Sequence, residues 1–161
     1  MAITLLPAYS RLADIRDIPP LPQDRVPSGL HLLQHQGQTY KALTTGDIDV
    51  LINIAMTGDG KTLAAQLPTL IHNHPLMAMY PTNELIRDQE HQFEQTKLSW
   101  NRPDLQATRL DAQHLDQIEE ETVLRQRADA LVHSWLNHEV VLTNPDIFHY
   151  VMEQYYWSAP L

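Results

Sequence analysis

The chain has 161 residues, with 20 acidic residues against 11 basic ones, a formal net charge of −9 and no cysteine. The lack of cysteine excludes disulfides, thiolate metal sites and a cysteine nucleophile, and the negative charge argues against a broad basic surface for nucleic acid. No apolar run approaches the roughly 18 residues of a membrane helix. We therefore expect a soluble, cytoplasmic domain without membrane contact.

The N-terminal part is rich in proline, since five of the eleven prolines fall within the first 27 residues. Proline fixes φ and removes a hydrogen-bond donor, so we predict an extended lead-in over residues 1–29. The folded region is predicted over residues 30–161. It begins with a helix over Leu30–Leu43, which a turn at Thr44–Asp47 follows.

Four short apolar runs have the pattern of buried parallel strands. They are Asp49–Ala55, Leu76–Tyr80, Gln106–Leu110 and Val140–Leu142. Helical patterns follow them, over Lys61–Ile71 with a bend or end at Pro68, and over Thr82–Leu98, Gln113–Leu136 and Asp146–Tyr156. Strands that alternate with helices of this length predict an α/β fold, a parallel sheet with helices on both faces.

The strongest motif lies between the first predicted strand and its helix. It reads Ala55-Met56-Thr57-Gly58-Asp59-Gly60-Lys61-Thr62, which departs from G-x-x-x-x-G-K-[ST] only because Ala55 replaces the first glycine. Glycines let backbone N–H groups turn inward around phosphates, and a helix N-terminus adds partial positive charge. Lys61 can reach the β and γ phosphates, and the Thr62 hydroxyl can bind magnesium. The motif predicts ATP and Mg²⁺ as cofactors, held by Thr57–Thr62.

This motif, A-x-T-G-x-G-K-T, resembles motif I of superfamily 2 helicases. Pro81-Thr82-Asn83-Glu84-Leu85, with Gln89 after it, looks like motif Ia, and Thr143-Asn144-Pro145-Asp146 looks like motif Ib. The resemblance implies a RecA-like domain and ATP-driven movement on single-stranded DNA. It implies DNA contacts at helix starts, by Pro81, Thr82, Arg87, Thr143 and Asn144. Thr82 also suits an ordinary helix cap, and Arg87 suits a surface charge.

Two glutamines are candidates for adenine recognition, which such helicases assign to a glutamine upstream of motif I. Gln36 and Gln38 lie 25 and 23 residues before Lys61. The spacing favours Gln38, whereas the His35-Gln36 pair resembles the family's other common context. Both alternatives stay open at this point.

A narrower resemblance is to the helicase component of type I CRISPR interference, in the split type I-D form without a fused HD nuclease. It rests on the string DIDVLINIAMTGDGKT followed by LAAQLPTL. It implies antiviral defence as the role, and a CRISPR effector complex with an associated nuclease subunit as partners.

The main departure from the family is motif II, an Asp-Glu pair that completes the magnesium site. No D-E-x-[DH] occurs in the sequence. We therefore expect a first RecA-like domain truncated before motif II, which binds nucleotide weakly and hydrolyses it hardly at all. Two alternatives are a small P-loop kinase or nucleotide-binding regulator, with Asp111 or Asp146 as its magnesium ligand, and a non-catalytic docking module of a CRISPR effector complex.

Overall fold

The computed structural model describes residues 11–14, 16, 18, 20–22, 24–46, 48–111 and 137–158, from 154 on as backbone only. The predicted helix over Gln113–Leu136 lies outside this part. The chain divides into two compact units, residues 1–72 and 73–161. Among the described residues, no helix combines the length and the hydropathy needed to cross a bilayer.

The first unit is built on two helices, α1 (Gln34–Thr45) and α2 (Lys61–His72), which pack against each other. The Tyr40 hydroxyl lies 2.7 Å from Nε2 of His72 and the two rings stack, so a polar contact joins the two helices. Burial raises the pKa of Tyr40. The buried apolar residues of this unit are Leu32, Tyr40, Ala64, Leu67, Leu70 and Ile71.

The described part of the lead-in is tied to the start of α1. Leu12 and Leu33 form an antiparallel bridge, in which the Ala13 N–H donates to the Leu32 carbonyl at 2.8 Å. α1 ends at Thr45, and its C-cap Gly46 has a left-handed φ of 72°. The helix therefore starts four residues after the predicted Leu30 and runs two residues beyond the predicted Leu43, into the predicted turn.

Helix α2 continues through Pro68 to His72. Of the two predicted effects of Pro68, a bend or an end of the helix, the second is therefore wrong. A proline inside a helix removes one backbone hydrogen bond. The side chains around it, Leu67, Leu70 and Ile71, are at most 1% exposed. Their burial offsets the lost bond, since tertiary packing supplies most of a helix's stability in a folded protein.

The segment Asp49–Ala55 differs from its prediction as a buried strand. It belongs to no strand, and the side chains of Val50, Ile52 and Ile54 are 77%, 78% and 88% exposed. A strand is defined by its ladder to a neighbour, and no described strand pairs with this segment. The apolar residues are thus present in the sequence, but the pairing that would bury them is not formed in the described part.

The second unit contains a three-stranded parallel sheet. Its elements are β1 (Leu76–Met79), α3 (Asn83–Ser99), β2 (Ala107–Leu110), β3 (Val140–Thr143) and α4 (Pro145–Ser158). The strand order is β1-β3-β2. Met79 and Leu110 both pair with Thr143, so all three strands end at the same level. Each of these elements lies within about two residues of its predicted bounds.

One core cluster of the second unit lies between the sheet and α4, and α3 also packs against β2 and β3. Leu110, Val141 and Val151 are buried, and Met77, Ile147 and Tyr150 pack against them. The connection after α3 is held by Arg102, which is 5% exposed. Its guanidinium donates to Asn73 at 2.5 Å and to both carboxylate oxygens of Asp104, and the Asp104 carboxylate raises the pKa of Arg102.

Candidate functional site

The loop ahead of α2 has two residues whose backbone conformation favours glycine. Gly58 and Gly60 have φ angles of 91° and 70°, in the left-handed region that costs other residues about 1–2 kcal/mol. At Gly60 a Cβ would also lie 2.6 Å from Nε2 of Gln36. The G-x-G spacing in the sequence therefore corresponds to a tight turn that passes close to α1.

Lys61 is the first residue of α2 and folds back over the loop. Its ammonium donates to the carbonyl oxygens of Ala55 and Met56, at 2.8 and 2.9 Å. Both partners are neutral, and no carboxylate among the residues that the structure describes forms an ion pair with Lys61. A cation, a helix N-terminus and glycine-bounded N–H groups at one place fit the phosphates of a nucleotide.

Thr62 follows Lys61 on the first turn of α2 and is half-buried. In the described part of the chain, no three His, Asp or Glu side chains are grouped as a metal site. Magnesium prefers oxygen ligands and commonly combines one or two protein groups with nucleotide phosphates and water. The chemistry of this donor set therefore fits magnesium bound together with a nucleotide, with the Thr62 hydroxyl as the protein ligand.

Gln36 and Gln38 lie on different faces of α1, as residues two apart on a helix do. The Gln36 side chain is buried: its Oε1 accepts from the Leu33 N–H at 2.9 Å, and its Nε2 donates to the carbonyls of Asp59 and Gly60, both at 3.2 Å. Gln38 is exposed. The structure thus brings Gln36, and not Gln38, into contact with the loop ahead of α2.

Three further polar residues contact the loop or its support, and the sequence analysis missed them. Nε2 of His35 lies 2.9 Å from the Asp59 carbonyl, while its Nδ1 lies 3.3 Å from the Asn53 amide nitrogen. Asn53 also donates to the Thr39 hydroxyl at 3.0 Å. One signal was available: Asn53 is a polar residue in the middle of an apolar run.

In the second unit, the motif Ia and Ib segments meet at the carboxyl edge of the sheet. Thr82 caps α3 by accepting from the Leu85 N–H at 3.2 Å. Asn144 caps α4 by accepting from the Ile147 N–H at 2.8 Å, and its amide donates to Asn83 at 3.1 Å. Two helix N-termini and their polar caps are therefore joined directly at this edge.

The other predicted DNA-contact residues lie around this edge in different environments. Pro81 and Arg87 are exposed. Thr143 is fully buried, and its hydroxyl donates to the Leu110 carbonyl at 3.0 Å. This hydroxyl links β3 to β2 and does not reach the surface, so the structure separates Thr143 from its exposed neighbours.

Asp111 and Asp146 are the acidic candidates for the P-loop kinase alternative. Asp111 is fully buried and its carboxylate forms an ion pair with Nε of Arg109 at 2.9 Å, although these two atoms do not meet in hydrogen-bond geometry. Asp146 lies in the first turn of α4. Neither arrangement favours that alternative.

A parallel α/β sheet, and a glycine-bounded loop with lysine and threonine at a helix start, are features of P-loop proteins as a class. Within that class, this chain belongs to the DEAD/DEAH box helicase family, whose sequence profile matches residues 33–157. No curated protein sequence matches the chain.

A solved structure has a similar fold. It is that of the DUF1998 helicase MrfA bound to DNA and AMPPNP, with a TM-score of 0.60 at 18% sequence identity. The match covers 90% of this chain and 19% of MrfA, so the chain spans about a fifth of that helicase's length. The predictions of a RecA-like α/β fold and of a superfamily 2 helicase domain are confirmed.

Proposed function

We propose that this chain is the nucleotide-binding part of a longer ATP-dependent DNA helicase. The observation that carries the proposal is the loop ahead of α2. It combines two left-handed glycines, a position 60 at which a Cβ would lie 2.6 Å from the Gln36 amide nitrogen, and a lysine ammonium that donates to two backbone carbonyls. Membership of the DEAD/DEAH box helicase family supports it.

In this proposal, the backbone N–H groups of Thr57, Gly58 and Gly60 and the Lys61 ammonium bind the ATP phosphates, and the Thr62 hydroxyl binds Mg²⁺. The Asp59 N–H instead donates to the Met56 carbonyl at 3.2 Å and closes the turn. Phosphoryl transfer depends on such positioning and charge stabilisation. Of the two candidate glutamines, we assign the role beside the nucleotide to Gln36, because its amide is the one that contacts the loop. That the MrfA structure contains AMPPNP is in keeping with an ATP site.

We place single-stranded DNA at the carboxyl edge of the sheet in the second unit. Open parallel sheets bind their ligands at this edge, and the N-termini of α3 and α4 present backbone N–H groups there for phosphates. Pro81, Thr82, Arg87 and Asn144 are the proposed contacts. Because Thr143 is buried, we assign its side chain to the sheet and leave only its backbone at the DNA edge. A net charge of −9 is compatible with local contacts of this kind.

The chain by itself lacks groups that hydrolysis requires. It contains no D-E-x-[DH] sequence, and we propose that motif II and a second RecA-like domain with an arginine finger belong to the rest of a longer protein. Those groups supply much of the transition-state stabilisation. Residues 1–161 should therefore bind ATP without measurable turnover, and appreciable hydrolysis by them would contradict this point.

We propose further that the longer protein serves CRISPR interference of type I, in the split type I-D form, as a cytoplasmic partner of an effector complex and a nuclease subunit. The string DIDVLINIAMTGDGKT supports this narrower assignment. A plasmid-clearance assay in the host tests it. Replacement of the gene by a Lys61→Ala version should abolish clearance of a CRISPR-targeted plasmid, and unchanged clearance would refute the assignment.

Nucleotide binding is tested directly on the 161-residue chain. Titration with a fluorescent ATP analogue and Mg²⁺ should give saturable binding, and Lys61→Ala should weaken it roughly 10- to 100-fold, the loss of one charge-assisted contact. Lys41→Ala, an exposed lysine on α1, is the matched control and should bind like the wild type. Equal affinities for all three proteins would refute the proposed site.

A further inference from the structure

The carbonyl oxygen of Asp59 is held from α1 by two side chains. Nε2 of His35 lies 2.9 Å from it, and Nε2 of Gln36 lies 3.2 Å from it. A carbonyl oxygen only accepts hydrogen bonds. The His35 Nε2 must therefore carry a proton, and the imidazole acts here as a donor to the loop backbone.

The other nitrogen of the His35 ring is held by Asn53. The Asn53 amide nitrogen lies 3.3 Å from Nδ1 of His35 and 3.0 Å from the Thr39 hydroxyl. An amide nitrogen donates, so Nδ1 is the acceptor, and the ring is neutral with its proton on Nε2. Ile52 and Ile54 are 78% and 88% exposed, whereas Asn53 between them is half-buried and contacts α1.

These contacts set the direction of the loop's N–H groups. A trans peptide unit is planar, and its C=O and N–H point in opposite directions. With the Asp59 carbonyl turned toward α1, the N–H of Gly60 points away from α1. The Gly60 carbonyl, which accepts from Gln36 and from the Ala64 N–H, fixes the Lys61 N–H in the same manner. Successive N–H groups of this kind form the concave site in which phosphates bind.

We propose that His35 and Asn53 are positioning residues of the nucleotide site. His35 holds the Asp59 carbonyl and so orients the Gly60 N–H toward phosphate, and Asn53 keeps His35 in the tautomer that can do so. Neither residue touches the nucleotide. The proposal rests on the proposed function, because it names the groups that prepare that site for phosphate.

Two substitutions at position 35 separate positioning from packing. In His35→Gln the amide nitrogen stands near the place of Nε2 and can still donate to Asp59. In His35→Asn it stands near the place of Nδ1 and is too short to reach. The affinity for the fluorescent ATP analogue should stay within about twofold of wild type in His35→Gln and fall roughly three- to tenfold in His35→Asn, the loss of one hydrogen bond. Equal affinities in the two variants would overturn the proposal.

Substitution at position 53 gives a second, spectroscopic readout. ¹⁵N chemical shifts of the imidazole report which ring nitrogen carries a proton. Wild-type His35 should be the neutral Nε2–H form, and Asn53→Asp, whose carboxylate accepts, should place a proton on Nδ1. Asn53→Ala, which has no amide, should lower affinity for the ATP analogue roughly three- to tenfold. A proton on Nδ1 in the wild type, or unchanged affinity in Asn53→Ala, would refute the role of Asn53.

Nucleotide binding by the wild type and by Lys61→Ala distinguishes a failure of the proposed function from a failure of this inference. If the wild-type chain does not bind the ATP analogue, the proposed function fails and this inference falls with it. If the wild type binds, Lys61→Ala weakens binding and His35→Asn binds like the wild type, only the inference fails. Thermal unfolding of each variant shows whether it folds. If His35→Asn does not fold, Asn53→Ala is used to test the inference.

Discussion

The amide nitrogen of Gln36 lies 2.6 Å from the point where a Cβ on Gly60 would stand. Gln36 is on α1 and Gly60 is the last residue before α2, so this approach joins the two helices of the first unit through the phosphate loop. The Gln36 amide also donates to the carbonyls of two successive peptide units, those of Asp59 and Gly60. The conformation of the loop thus depends on a residue 24 positions earlier in the chain.

Gly60→Ala should damage the nucleotide site more than a left-handed glycine elsewhere. Gly46 has a similar φ of 72° with nothing within 4 Å of a built Cβ, so Gly46→Ala should cost only the conformational penalty of about 1–2 kcal/mol. Gly60→Ala should cost more and weaken ATP-analogue binding, because Gln36 must also move. Urea unfolding and the binding titration measure both. The same affinity in Gly60→Ala as in Gly46→Ala would show that the approach of Gln36 has no effect.

Gln36→Ala and Gln38→Ala should differ in nucleotide binding. Gln36→Ala removes two hydrogen bonds to the loop and one to the Leu33 N–H at the start of α1. It should therefore weaken binding of ATP and GTP analogues alike, and of ATP more if the amide also contacts adenine. Gln38 is exposed on another face of α1, and Gln38→Ala should bind both nucleotides like the wild type. Loss of ATP selectivity in Gln38→Ala alone would return the adenine role to Gln38.

Thr82 caps α3 and is also a proposed DNA contact. A matched pair of variants separates these two roles. Thr82→Ala removes the cap of α3 and should lower the free energy of unfolding by about 1 kcal/mol. Thr82→Asp keeps a good capping residue at the helix N-terminus but adds a negative charge at the proposed DNA edge. It should retain stability and weaken binding of a single-stranded oligonucleotide by the full-length protein. If DNA affinity is unchanged in Thr82→Asp, this edge does not bind DNA.

The stability of the chain should fall at alkaline pH, partly through Tyr80. Burial raises the pKa of this phenol above its ordinary value of about 10. Above pH 10 the unfolded chain loses the proton before the folded chain does, so the stabilisation is complete below pH 10 and decreases as the pH rises. Tyr80→Phe should lose less stability between pH 9 and pH 11 than the wild type does in urea unfolding. Equal losses would contradict the assignment.

The sequence predicted those features that depend on local chemistry. Thr82 before an amphipathic run marked the start of α3, short apolar runs marked β1 and β3, and G-x-G-K-T marked the loop. The misassigned or missed features depend on distant residues. Asp49–Ala55 has the composition of a strand, but a strand also needs a partner, and Pro68 stays helical because of the side chains packed around it.

In the candidate site, too, the features that depend on local sequence were predicted and those that depend on distant residues were not. Lys61 and the two glycines are recognisable from spacing alone. The choice between Gln36 and Gln38 required knowing which face of α1 meets the loop, and the burial of Thr143 follows from its hydrogen bond to the neighbouring strand. The contacts of His35 with Asn53 and Asp59 join residues 18 and 24 positions apart, a relationship that no local pattern encodes.

The central claim, an ATP-driven motor on DNA, is tested most directly by steady-state ATP hydrolysis of the full-length protein with and without a single-stranded oligonucleotide. The account predicts that DNA raises the rate severalfold, that Lys61→Ala removes almost all of the activity at unchanged stability, and that Lys41→Ala leaves it intact. A rate that DNA does not change, or full DNA-stimulated activity in Lys61→Ala, would contradict it.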